Sequence, residues 1–118
     1  MAPVAVARVA WMYEAPNASY PFEEWFFSIS DKLTRAKIHA RVLRFETGNL
    51  GDCESLGEGV LEGKDKFGPG IRIYFGIDGK DIILLHGGTK RGQTRDIETA
   101  KERWKDYEKR KKRKKSSW

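Results

Sequence analysis

The chain opens with VAVARVAWMY (residues 4–13), a run rich in valine and aromatics that predicts a strand, closed by the loop EAPNASYP. The apolar period then lengthens. After Pro21, the residues Phe22, Trp25, Phe26 and Ile29 fall at i, i+3, i+4 and i+7, one helical stripe, and Glu23 and Glu24 sit in the first turn where the helix dipole favours them. Asp31 suits the cap of a second helix that runs to about Thr47, with Ile38, Val42 and Phe45 on one face and Lys37, Arg41 and Arg44 on another. Gly48-Asn49 supplies a left-handed stop. So few residues separate the two helices that an antiparallel hairpin is expected. The Lys37/Arg41/Arg44 stripe reads as a solvated helix face, with a binding role as the competing reading.

Beyond the turn-rich GNLGD, the period shortens to two. GVLE, IRIYFGI and DIILLH predict three antiparallel strands joined through GPG and through Asp78-Gly79, a tight-hairpin signal. In the middle strand Ile71, Ile73 and Phe75 alternate with Arg72 and Tyr74, so one face is expected under the helices and the other open to solvent. QTRDIETAKERWKDYEKRKK (93–112) then predicts a helix burying Ile97, Ala100, Trp104 and Tyr107. The pattern as a whole predicts an α+β fold: a helical hairpin packed on an antiparallel β-sheet, with a C-terminal helix.

Length and charge refine this picture. A chain of 118 residues makes one domain with a single modest core. The net charge of +6 is localised, because KRKKRKK at 109–115 alone carries seven positive charges; without it the basic residues fall one short of the 17 acidic ones. The expected organisation is a folded unit over 1–108 and a basic C-terminal tail over 109–118, either merely solvated or in contact with a polyanion. Cys53 is the single cysteine and no His/Cys spacing resembles a zinc site, which predicts chemistry without a metal or other cofactor and a reducing, cytoplasmic setting. Nowhere do about 18 apolar residues run together, as a membrane span needs.

Five segments carry a resemblance: PFEEW at 21–25, FETGNLGD at 45–52, GEGVLE at 57–62, GPGIRIYF at 68–75 and GGTKRGQTRDIETAK at 87–101. In this order, over about residues 11–105, the chain resembles the addiction-module killer proteins of the RelE/ParE toxin superfamily, in their HigB-like branch. The resemblance implies a RelE-like fold with a helical hairpin on a twisted antiparallel sheet. It implies a toxin of a type II toxin-antitoxin module that is held silent by a cognate helix-turn-helix antitoxin. In many members the activity is a ribosome-dependent, metal-independent mRNA endoribonuclease that inhibits translation, so mRNA and the ribosome are the implied partners. A ParE-like inhibitor of DNA gyrase and a non-catalytic RNA-binding module are the alternatives.

Metal-free RNA cleavage needs a base for the attacking 2′-hydroxyl, an acid for the leaving 5′-oxygen, and cations for the charge that builds on the phosphorane. The resemblance assigns Arg72 the place of the superfamily's sheet arginine, where a planar guanidinium grips two phosphate oxygens. It puts Lys64 and Lys66 near the basic residues before the GPG turn, and Lys90 and Arg91 where a Lys/Arg pair follows the Gly-Gly turn. Phosphate grip suits these lysines better than proton transfer, which would require a large fall in pKa. Tyr74, on the same face as Arg72, is expected to stack on a base or hydrogen-bond a phosphate, or else to pack across strands. Two departures stand out: Gly63 replaces an apolar residue, which suggests a bulge, and TRDIET holds no tyrosine where the superfamily's RNases carry a catalytic one. His86 then remains as a proton carrier titrating near neutrality, against a structural role. Gln93 and Asp96 are expected either to cap the last helix or to touch substrate.

Overall fold

The computed structural model describes residues 6–116. It is an α+β fold with three helices, α1 (Pro21–Ser28), α2 (Lys32–Glu46) and α3 (Gln93–Arg110), around one six-stranded sheet. The strands are β1 (Val9–Tyr13), β2 (Cys53–Ser55), β3 (Val60–Asp65), β4 (Ile71–Asp78), β5 (Asp81–Thr89) and β6 (Arg113–Lys115), in spatial order β2-β3-β4-β5-β1-β6. Residues 4 and 5 of the expected first strand and residues 117 and 118 of the expected tail lie outside the described residues.

The local signals act where the sequence put them. Pro21 occupies the first turn of α1, whose N–H groups have no helical partner in any case. The Asp31 carboxylate caps α2 by accepting the Thr34 N–H at 3.3 Å, and Gly48 ends the helix at φ +91°. Gly79 turns β4 into β5 at φ +62°.

Alternation along the strands feeds two cores on opposite faces. On one face Ala10, Met12, Ile71, Ile73, Phe75, Ile82 and Leu84 pack beneath Phe22 and Phe26 of α1 and Ile38, Val42 and Phe45 of α2. On the other, Tyr13, Val60, Tyr74, Ile83 and Leu85 pack with Ala100, Trp104 and Tyr107 of α3. This corrects the expectation of an open face. The apolar stripe of α3 has to be buried somewhere, and the face left over by α1 and α2 is the one available.

The sheet is mixed rather than wholly antiparallel. β3 to β5 form the expected antiparallel series, and β2, a strand not anticipated in the sequence, adds antiparallel to β3, whereas β1 lies parallel to β5, with Val9 opposite Asp81 and Met12 opposite Leu84. Apolar alternation specifies which side chains are buried, not strand direction, so this was invisible in the pattern. The bulge anticipated at Gly63 is absent, since β3 and β4 pair without interruption from Val60 and Gly76 to Asp65 and Ile71. Gly63 serves a close approach instead: a Cβ there would lie 3.3 Å from the Phe45 ring. The irregularity falls in β5, where Tyr74 faces His86 but Phe75 faces Leu84, leaving Leu85 as the extra residue.

Two charged features also depart from expectation. Arg41 is buried, not solvated. Its guanidinium donates to the carbonyls of Lys64 (2.8 Å), Leu50 (3.0 Å) and Asp52 (2.9 Å) and pairs with Asp65 at 3.0 Å, clamping the loop before β2 and the end of β3 to α2. The basic run is not a loose tail. Lys109 and Arg110 belong to α3, Lys111 reverses the chain at φ +55°, and β6 pairs antiparallel with β1. Arg110 bonds Asp106, Lys111 reaches Asp78 (3.2 Å), Arg113 reaches Asp81 (2.9 Å) and Lys114 reaches Glu23 (3.1 Å). Arg113 and Lys114 also cover the rings of Trp11 and Tyr20 at 4.4 and 4.2 Å. Carboxylates spread through the sequence thus collect the cations of the run, while Lys109, Lys112 and Lys115 stay exposed.

Candidate phosphate-binding site

Where β3 turns into β4, Gly68 and Gly70 adopt φ of +55° and +78° on either side of Pro69. The end of β5 is tied to this turn, because the Lys90 N–H donates to the Gly70 carbonyl at 2.8 Å. The fit is close: a Cβ at Gly70 would stand 3.3 Å from Cβ of Lys90 and 3.6 Å from Nη1 of Arg72. The result is a concavity of about 490 Å³ lined by Lys66, Gly68, Pro69, Gly70, Arg72 and Lys90. Three of those residues are cationic and none is acidic. Lys66 and Lys90 are exposed. Arg72 is half-buried; its Nη1 donates to the Ile71 carbonyl at 3.2 Å, and its Nε is buried without a hydrogen-bond partner. An oxyanion is the ligand chemistry this lining matches, since it accepts from guanidinium and ammonium groups and leaves no carboxylate to repel it.

The other expected site residues are placed elsewhere. Lys64 lies opposite Arg72 across the ladder, but its ammonium is drawn to Glu54 at 2.5 Å, and that hydrogen bond raises its pKa. Arg91 is exposed and does not line the concavity. Tyr74 is fully buried under α3, which corrects the reading in which it stacks on a base. Burial, and secondarily the nearby Glu62 charge, push its hydroxyl well above the ordinary tyrosine range.

His86 stands in a fixed network outside the cationic lining. Its Nε2 lies 2.8 Å from Asp96 and its Nδ1 lies 2.9 Å from a guanidinium nitrogen of Arg103. Arginine can only donate, so Nδ1 is the acceptor and Nε2 carries the proton toward Asp96. Burial, with Arg103 adding to it, lowers the His86 pKa despite the opposing pull of Asp96. Both ring nitrogens are engaged, which corrects the expectation of a histidine available to carry protons.

Gln93 and Asp96 are likewise sheet anchors rather than caps of α3. Gln93 donates to both carboxylate oxygens of Glu62, at 3.0 and 2.8 Å, and Asp96 lies so near Gly88 that a Cβ there would sit 2.1 Å from its Oδ2. Glu62, fully buried opposite Tyr74, is the polar residue that sequence reasoning missed. The available signal was the stripe on α3, which required a second buried face and therefore partners for any acid on it.

The fold is that of a small α+β protein, and the concavity at its β3–β4 turn is lined by three cationic side chains and no acidic one. The chain is 38% identical over 81 residues to an uncharacterized protein of Haemophilus influenzae, an alignment spanning 68% of this chain and 82% of that protein. The chain belongs to the family of that Haemophilus protein. No protein-family model matches the sequence, and no solved structure matches the fold. Among the described residues no helix is long and apolar enough to cross a membrane, and no group of three or more His, Cys, Asp or Glu is placed to hold a metal ion.

Proposed function

We propose that this chain is a RelE/ParE-superfamily toxin of the HigB-like branch, an endoribonuclease that cuts mRNA on the ribosome and is held silent by a helix-turn-helix antitoxin. The observation that carries the proposal is the concavity of Lys66, Arg72 and Lys90 around the GPG turn, with no carboxylate in its lining. Arg72 is paired through its backbone in the β3–β4 ladder and its side chain lines the concavity with the two lysines, which supports a seat for an anion there. A scissile phosphate seated there is gripped by Arg72 and flanked by the two lysines, which offset the second negative charge of the phosphorane.

The concavity supplies cations, not a near-neutral proton carrier. In the proposed mechanism proton transfer therefore falls to groups that arrive with the substrate, in keeping with a requirement for the ribosome. The same observation favours a second reading, a non-catalytic RNA-binding module.

The test is induction in a bacterial host with transcript 5′ ends mapped alongside DNA breakage. New ends inside translated reading frames support the nuclease. DNA breakage without new ends supports gyrase inhibition, and RNA binding with neither effect supports the module.

A further inference from the structure

A second concavity, of about 460 Å³, lies on the far side of the same turn, and Gly68 and Pro69 form the wall that it shares with the cationic one. Its lining is of a different kind. Trp25, Ile29, Pro69 and Ile71 give apolar surface, and Asp31 and Thr34 give polar groups at one side. A volume of this size, mostly apolar with a few placed polar groups, is the ordinary form of a small-ligand pocket.

Its aromatic wall is fixed in place. The Trp25 indole lies against Gly87 so closely that a Cβ there would stand 2.1 Å from the ring, and it packs on Phe22 with centroids 5.4 Å apart. The ring is nevertheless only half-buried. Asp31 is fixed too, because one carboxylate oxygen takes both the N–H and the hydroxyl of Thr34, at 3.3 and 2.6 Å. A carboxylate only accepts hydrogen bonds, so it suits a ligand edge that carries N–H donors.

We infer that this concavity seats a nucleobase of the RNA strand whose phosphate occupies the cationic concavity. The inference rests on the RNA reading of that neighbouring site. Phosphate and base of one nucleotide are joined through a single ribose, and here an anion seat and an apolar aromatic seat are separated by a single turn. Continuity with the cationic lining favours a base over an apolar side chain of a protein partner, which would need no adjoining anion seat. Asp31 favours bases presenting an amino or imino edge.

The experiment compares binding of a tetraribonucleotide with that of an abasic ribose-phosphate tetramer of equal length, to the wild-type chain and to Trp25→Leu and Lys90→Ala. The expected wild-type result is a preference of about tenfold or more for the base-bearing oligomer, the scale of one stacked base. Trp25→Leu should erase that preference, and Lys90→Ala should weaken both oligomers alike. Should Trp25→Leu fail to fold, Ser30→Leu, at an exposed loop position that also lines the concavity, should erase the preference by filling the space. Equal binding of the two oligomers by wild type overturns the base seat, leaves the phosphate reading intact and turns the groove over to an apolar side chain of a protein partner. A preference that survives in a folded Trp25→Leu chain, or in Ser30→Leu where Trp25→Leu does not fold, also overturns it. Binding of neither oligomer overturns the RNA reading itself.

Discussion

Arg103 holds His86 from behind, its guanidinium 2.9 Å from Nδ1, while Asp96 takes the opposite ring nitrogen at 2.8 Å. The two contacts lock the imidazole tautomer, with Nδ1 accepting and the proton on Nε2. Arg103→Met should raise the His86 pKa, and Asp96→Asn should lower it further, both read from NMR titration of the imidazole protons. Because the folded-state pKa lies below the unfolded value of about 6.5, the unfolded chain binds the extra proton first. The stability linked to His86 is therefore present above that pH and is lost as the pH falls toward the folded pKa. A His86 that titrates identically in Arg103→Met would contradict the lock.

Arg41 should be among the most sensitive positions in the chain. Arg41→Met removes three carbonyl partners and leaves the half-buried Asp65 without its cation, a loss of about 3 kcal/mol by urea denaturation. Arg41→Lys should recover little of it, because one ammonium cannot span the carbonyls that the guanidinium fork reaches. A loss under about 1 kcal/mol would return Arg41 to the solvated face that its spacing suggested.

The contact of Trp25 with Gly87 makes a paired prediction. Gly87→Ala places a methyl 2.1 Å from the indole and should cost about 1–3 kcal/mol by overpacking. In a Trp25→Leu background the same change should cost much less. Equal costs in the two backgrounds, measured by thermal unfolding, would show that the ring is not what closes the space above Gly87.

Removing residues 112–118 should destabilise the fold rather than merely trim a solvated end. β6 covers the outer edge of β1, and Arg113 and Lys114 bring countercharges to Asp81 and Glu23. The truncated chain should melt on the order of 5 °C lower and self-associate through the bared edge, seen in light scattering. An unchanged melting temperature would restore the picture of a loose tail.

Local physics was legible in the sequence and long-range closure was not. The Pro21 start, the Asp31 cap, the Gly48 stop and the Gly79 turn all follow from the intrinsic conformational preferences of single residues. Strand direction of β1, the fate of the basic run and the burial of Arg41 each depend on partners far away in the chain. The α3 stripe shows how the gap opens: the spacing of Ile97, Ala100, Trp104 and Tyr107 predicts a buried helix face, yet strand alternation does not show which sheet face it covers. Closing that face buries Tyr74 and Glu62 and turns Asp96 toward His86. Of the expected site, Lys66, Arg72 and Lys90 come together because two turns meet. Lys64, Tyr74 and His86 separate because alternation shows the face of a strand and not what stands over it, and Arg91, exposed in the short helical turn Lys90–Gly92 after β5, falls outside the lining.

The most direct test of the central proposal is Arg72→Ala, expressed at the wild-type level and compared by transcript 5′-end mapping. Arg72 is half-buried at the end of a strand, so the variant should keep its circular dichroism spectrum while the phosphate seat loses its guanidinium. The expected result is loss of growth arrest and a fall of at least about a hundredfold in new transcript ends, the scale of removing one preorganised transition-state donor. A folded Arg72→Ala chain that still cuts transcripts at the wild-type rate would contradict it.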